Sequence, residues 1–276
     1  MKLGDARFEL ELDEQSALDV LTARADGVDL APGGAVPDDG DPRILRAVHG
    51  FLFTCGPDHI RHPEPVDRGD EAIFPLHGSM SGNGAVITGR SVSEAGQSVE
   101  ARIKVTLADG GKAEILRLWH FDAASGGFTL EDTVQNVGAT PFPPMMMYHM
   151  NVGARLFDDA TGFSGASFPG GRIGWRFGDG EGAVICSPAT AEGEGKAYVS
   201  LGPIPGAADG RLDVWFDAEA MPHLQMWRNE AGHCNVIGIE PASHPLMKRD
   251  KLEESGLMPV LQPGDARHFR LGFRFV

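Results

Sequence analysis

Cysteine is scarce in this chain: Cys55, Cys186 and Cys234 are the three among 276 residues. An odd, sparse count with no CxxC pattern argues against a disulfide framework. It points to reduced thiols, so a cytoplasmic location is expected. Basic residues are also short. Lys and Arg number 24 against 39 Asp and Glu, leaving a formal net charge of −15 and a pI of about 5.0. Nucleic acid and anionic membrane both need a basic patch, so neither is expected as a partner. The same field disfavours a highly anionic substrate unless a local arginine overrides it. No apolar run approaches the ~18 residues of a membrane-crossing helix. Met1 to Arg7 lacks the apolar core of a signal peptide. Helical periodicity is missing as well: no segment sustains it beyond about two turns.

What the chain does have is turns and alternation. Glycine (37) and proline (19) make up about a fifth of it, with no collagen-like period. Phe8 to Leu12, Val99 to Leu107, Phe128 to Val134 and Phe269 to Phe275 alternate apolar with polar residues, the signature of strands with one buried face. Asp109-Gly110-Gly111 is a hairpin turn signal. Leu45 to Thr54 reads as one buried strand, and Ser16 to Arg24 fits a helix or a strand. Ala31 to Asp41 and His59 to Glu71 read as loops, and Lys248 to Ser255 as a short charged helix. Strands recur at the roughly 8–12-residue spacing of a sandwich or barrel. One all-β domain over residues 1–276 is expected.

Three distant stretches carry the chemistry. Thr140 to Gly153 opens on Pro141, Pro143 and Pro144, which block a helix and favour extended backbone. It continues through Met145, Met146, Met147 and Tyr148 to His149 and Asn151, which share one face of a strand. His77 stands in Pro75-Leu76-His77-Gly78, where glycine permits another group to approach closely. Glu240 ends the apolar run Val236-Ile237-Gly238-Ile239, an expensive place for an unpaired carboxylate. Gln225 and Trp227 share a strand face, an amide and an aromatic plate of the kind that holds a sugar. Each has a plainer reading: a satisfied core histidine, a strand surfacing at Glu240, a packed strand with an edge glutamine. His59 and His62 have metal-ligand spacing, but a site needs a third ligand and their surroundings are loop-like, so no metal is expected. Glycan hydrolysis usually needs two carboxylates, and Glu240 alone stands out.

In their order and separation, Leu76-His77-Gly78, Tyr148-His149-Met150-Asn151-Val152-Gly153 and Gly238-Ile239-Glu240-Pro241 resemble the aldose 1-epimerase (galactose mutarotase-like) superfamily. Thr54-Cys55-Gly56 and Asp132 to Gly138 resemble a bacterial branch of it. The likeness covers about Leu18 to Pro241. It implies a β-supersandwich whose concave face holds a free sugar or sugar derivative, with no organic cofactor. It places the base that deprotonates the anomeric hydroxyl on Glu240, and the acid that protonates the ring oxygen on His149. His77 would hydrogen-bond the substrate, with Asn151, Gln225 and Trp227 as further sugar contacts. Arg24 would be the substrate-binding arginine. The chain departs from the family pattern where Met150 alone separates His149 from Asn151, and where the family's pocket aspartate has no match. Reference pKa values near 4.3 and 6.5 let an ionised glutamate and a charged histidine coexist near neutrality. The competing reading is a non-catalytic carbohydrate-binding protein on the same fold.

Overall fold

The computed structural model describes residues 1–38, 41–66 and 72–276. Residues 39–40 and 67–71 belong to the two stretches expected as loops and lie outside the described residues. Two nine-stranded sheets carry the architecture, and their strands pair antiparallel. The first runs in the order Lys2–Gly4, Phe8–Asp13, Asp19–Ala25, Leu52–Cys55, Met147–Gly153, Val236–Ala242, His223–Asn229, Gly182–Pro188, with Val28–Asp29 paired to Asp19–Ala25. The second runs Arg172–Gly174, Gly162–Ser164, Lys196–Ile204, Gly210–Asp217, Ala266–Phe275, Gly127–Asn136, Lys112–Asp122, Gly96–Thr106, Ala85–Ser93. Two short α-helices occur among the described residues, Leu45–Val48 and Arg249–Glu254. The expectation of an all-β supersandwich holds. No helix among the described residues is long and apolar enough to cross a membrane.

Alternation explains the second sheet. Along Lys112–Asp122, Ala113, Ile115, Arg117, Trp119 and Phe121 face inward while the residues between them face out. The period of two puts one set on the core. The first sheet differs because its central strands are buried on both faces. Tyr148, Met150, Val152, Ile237 and Ile239 pack into the core between the sheets. On the other face Phe53, Cys55, Met147 and Val236 pack with Ile60 and Leu76 from overlying loops. Those loops turn an otherwise open sheet face into the wall of a pocket.

One local expectation changes and one open reading is settled. Leu45 to Thr54 is not one strand: Leu45–Val48 is a helical turn and Leu52–Cys55 the strand. Gly50 separates them, where a Cβ would lie 2.5 Å from the Val20 carbonyl oxygen. Ser16 to Arg24 resolves as the strand Asp19–Ala25.

A buried polar network joins the two sheets. Arg117 donates to both Asp132 oxygens at 2.8 and 2.6 Å and to Thr54 Oγ1 at 2.8 Å. Its Nη1 lies 3.6 Å from Asp19. Tyr148 donates its hydroxyl to Asp132 at 2.8 Å, and Ser81 donates to Asp19 at 2.7 Å. Two carboxylates around one guanidinium leave neither charge alone in the core.

Candidate active site

Three adjacent strands of the first sheet aim side chains away from the core: Met147, His149 and Asn151, then Gly238 and Glu240, then Gln225, Trp227 and Asn229. Register sets Phe53 beside His149 and Gln225 opposite Glu240. It also sets Gly238 between Asn151 and Trp227. With Arg61, His62 and His77 from the overlying loop, these residues line a pocket of about 490 Å³. The sequence-derived candidates His77, His149, Glu240, Gln225, Trp227 and Asn151 therefore meet in one place. Arg24 does not, and that assignment is corrected. It sits half-exposed on the Asp19–Ala25 strand, 4.0 Å from Asp29, outside the pocket. The arginine on the pocket wall is Arg61. Arg228, on the opposite face from Trp227, is buried and donates to the carbonyl oxygens of Phe177 and Gly180.

At the floor His149 Nε2 lies 3.1 Å from Glu240 Oε1. The Gln225 amide donates to Glu240 Oε2. The His149 ring stacks on Phe53 at 4.7 Å and meets the edges of His77 and Trp227, each at 5.5 Å. Gly238 makes room for the pair. A Cβ there would come within 2.4 Å of Glu240 Oε1 and 3.1 Å of His149 Cε1. Asn151 is anchored by donating to the Val48 carbonyl oxygen at 2.9 Å.

His77 enters from the loop in left-handed backbone, φ 59°, an uncommon conformation for a non-glycine residue. The surroundings hold it there. Its N–H donates to Arg61 O at 2.8 Å and its carbonyl accepts from Gly56 N at 2.9 Å. Arg43 donates to the carbonyl oxygens of Leu76 and Gly78. The close approach expected at Gly78 is real: a Cβ would lie 2.1 Å from His59 O. His59 itself turns away, with Nε2 2.7 Å from His62 O and its ring stacked on Phe74. Among the described residues no cluster of three or more His, Cys, Asp or Glu is arranged to hold a metal.

Burial reshapes the ionisation expected from reference values. It pushes Glu240 up to about 8, against the Gln225 hydrogen bond that favours the carboxylate. It pulls His149 down to about 3 and His77 well below its usual range. Desolvation penalises each charged form, and among the described residues no cation offsets it at Glu240. Near neutrality the pair therefore holds one proton, on Glu240, rather than the charge-separated arrangement. His149 Nδ1, His77 Nδ1, Asn151 Oδ1 and Glu240 Oε1 are buried without a well-aligned protein hydrogen bond, although Glu240 Oε1 touches His149 Nε2 and Asn151 lies beside the His149 ring. Buried polar atoms are normally satisfied, so four orphans around one pocket mark a place where a polar ligand belongs. A larger hollow of about 570 Å³ lies on the outer face of the second sheet. There Ser200, Arg211 and Arg274 all serve Asp213, and none of the orphaned atoms faces it.

Sequence reasoning missed Arg61, His62, Asn229 and the steric role of Gly238. The glycine was visible two positions before Glu240. Arg61 and His62 were visible only as part of a possible metal spacing.

A family model described as "Domain of unknown function (DUF4432)" matches residues 7–167 and 179–275. No curated protein matches the chain. Solved structures with the same fold include a candidate aldose 1-epimerase from Klebsiella pneumoniae, 18% identical, TM-score 0.78, covering 97% of this chain and 76% of that one. A galactose mutarotase-like protein from Clostridium acetobutylicum is 11% identical, TM-score 0.68, over 100% and 94% of the two chains. Galactose 1-epimerase from Lactobacillus acidophilus is 12% identical, TM-score 0.64, over 99% and 92%. At these identities the likeness establishes the galactose mutarotase-like fold.

Proposed function

Given that the chain belongs to the DUF4432 family and has a galactose mutarotase-like fold, we propose that its pocket interconverts the anomers of a free aldose or sugar derivative. The observation that carries this reading is the Glu240–His149 contact at 3.1 Å, on the floor of a pocket with four orphaned polar atoms. Anomerisation needs one group to take the proton of the anomeric hydroxyl and another to protonate the ring oxygen. Glu240 takes the first role and His149 the second. His77, Asn151 and Gln225 offer polar contacts to sugar hydroxyls, and Trp227 an aromatic wall.

The atoms balance without a cofactor. Glu240 accepts the O1 proton as C1–O1 becomes a carbonyl. The C1–O5 bond breaks, its electron pair goes to O5, and O5 takes the His149 proton. Rotation about C1–C2 and reversal of both transfers close the ring on the other face. The reacting arrangement, carboxylate with imidazolium, is a tautomer of the neutral pair that burial favours, so reaching it changes no net charge. Opening the ring leaves Glu240 and His149 both neutral, the arrangement the dry pocket prefers. The site thus favours the protonation state of the ring-opened intermediate over that of the closed sugar, which is differential binding of the kind that accelerates a reaction.

Exchange NMR of anomer signals across a panel of aldoses, acidic sugars and sugar phosphates tests this. The expected result is exchange above the buffer rate for at least one member, lost on His149→Asn. Tight sugar binding without exchange would favour the carbohydrate-binding alternative.

A further inference from the structure

Arg61 is the unspent charge of the pocket. Its guanidinium has no ion pair and no hydrogen bond among the described residues, although the residue is half-buried. Other arginines nearby are committed: Arg43 to the His77 loop, Arg228 beneath Trp227, Arg249 to Asp58 O at 2.6 Å. Among the described residues Glu240 is the sole acidic side chain lining the pocket, and it is buried at the floor. The fixed charge that the described residues present to a ligand is therefore positive, in a chain of net charge −15.

The position of that charge is informative. Burial and the Glu240 carboxylate raise the Cys186 thiol, while the Leu246 backbone and Arg61 lower it, so this thiol lies within reach of both charges; Arg61 does not figure in the shifts of Glu240 or His149. Cys186 pairs with Gln225, which pairs with Glu240, so it stands two strands from Glu240, roughly 10 Å at the usual interstrand spacing, and three from His149. A sugar with its anomeric carbon at Glu240 and His149 would direct its other end toward Arg61. Arg61 and His62 also wall an adjoining cavity lined by Glu64, Lys248, Arg249, Asp250 and Glu253, which leaves space for a substituent beyond the ring.

We propose that the sugar taken by this pocket carries an anionic group, carboxylate, phosphate or sulfonate, at the end remote from its anomeric carbon, and that Arg61 reads it. This rests on the sugar-binding reading above. A guanidinium fork matches such oxyanions bidentately, and a half-buried one is poorly screened by salt.

The test is affinity, by titration calorimetry, for matched sets: glucose, glucuronate and glucose 6-phosphate, and galactose with galacturonate. Wild type, Arg61→Met and, as a control losing one positive charge outside the pocket, Arg24→Met are compared. Wild type should bind an anionic member more tightly than its neutral partner by on the order of 10–100-fold, the scale of a charge-assisted hydrogen bond. Arg61→Met should collapse that ratio and Arg24→Met should keep it. Uronate against phosphate identifies the oxyanion. Equal or tighter binding of the neutral sugars, or an equal loss for both kinds in Arg61→Met, overturns the proposal. Affinity needs no turnover. Arg61-dependent binding of an anionic sugar without anomer exchange would therefore sustain this inference while removing the epimerase reading. Exchange of neutral sugars with no anion preference would do the reverse.

Discussion

At the scale of the residue, Glu240 is held neutral by burial and has no arginine beside it among the described residues. Its unfolded value is near 4.5 and its folded value about 8. The folded chain keeps a proton that the unfolded chain releases between those values. Stability from the neutral carboxyl is full below about 4.5 and lost as pH rises through about 8. Glu240→Gln removes this cost, so its thermal midpoint should exceed wild type by a few degrees near pH 8 and match it below pH 4.5. Scanning calorimetry across pH checks this; a lower midpoint near pH 8 would reveal a charged partner for Glu240. His149 works in the opposite direction. Its folded value, about 3, is below the unfolded 6.5, so its contribution is present above 6.5 and lost as pH falls toward 3. The pair carries one proton between about 3 and about 8. Anomer exchange should hold level across that window and fall above pH 8. A profile peaking near pH 5 and lost by pH 7 would mean that Glu240 and His149 titrate near their solution values.

At the scale of the element, the strand Val236–Ala242 works through what it lacks. Gly238→Ala puts a methyl where Glu240 Oε1 and His149 Cε1 now lie. Both must move, and a 1 Å misplacement costs on the order of 10²-fold in rate. The variant should keep its far-UV spectrum and lose exchange by about that factor; an unchanged rate would show that the pair tolerates displacement. The period-two pattern made this much legible in the sequence, because it fixes which residues share a face. His149 with Asn151, and Gln225 with Trp227, could be read in this way. Arg24 and Arg61 could not be told apart, because a loop's path over a sheet leaves no period. The Leu45–Val48 helix was hidden in an apolar run that suits either element. The ionisation of Glu240 was hidden because it depends on burial by strands and loops that are distant in sequence.

At the scale of the whole molecule, the Arg117 network joins the sheets directly behind the site. Tyr148 precedes His149, Thr54 follows Phe53, and Ser81 follows the His77 loop. Arg117→Met leaves Asp19 and Asp132 buried without their cation, which should cost about 3–5 kcal/mol. A urea midpoint within error of wild type would contradict a structural role for the network. The central claim concerns the pocket that these sheets support, and its most direct test is exchange NMR on wild type and Glu240→Gln. The sugar used is one that both proteins bind with similar affinity. The account predicts exchange in wild type and a loss of at least ~10²–10⁴-fold in the variant, the scale of a positioned acid or base. Equal exchange rates in the two proteins would contradict it.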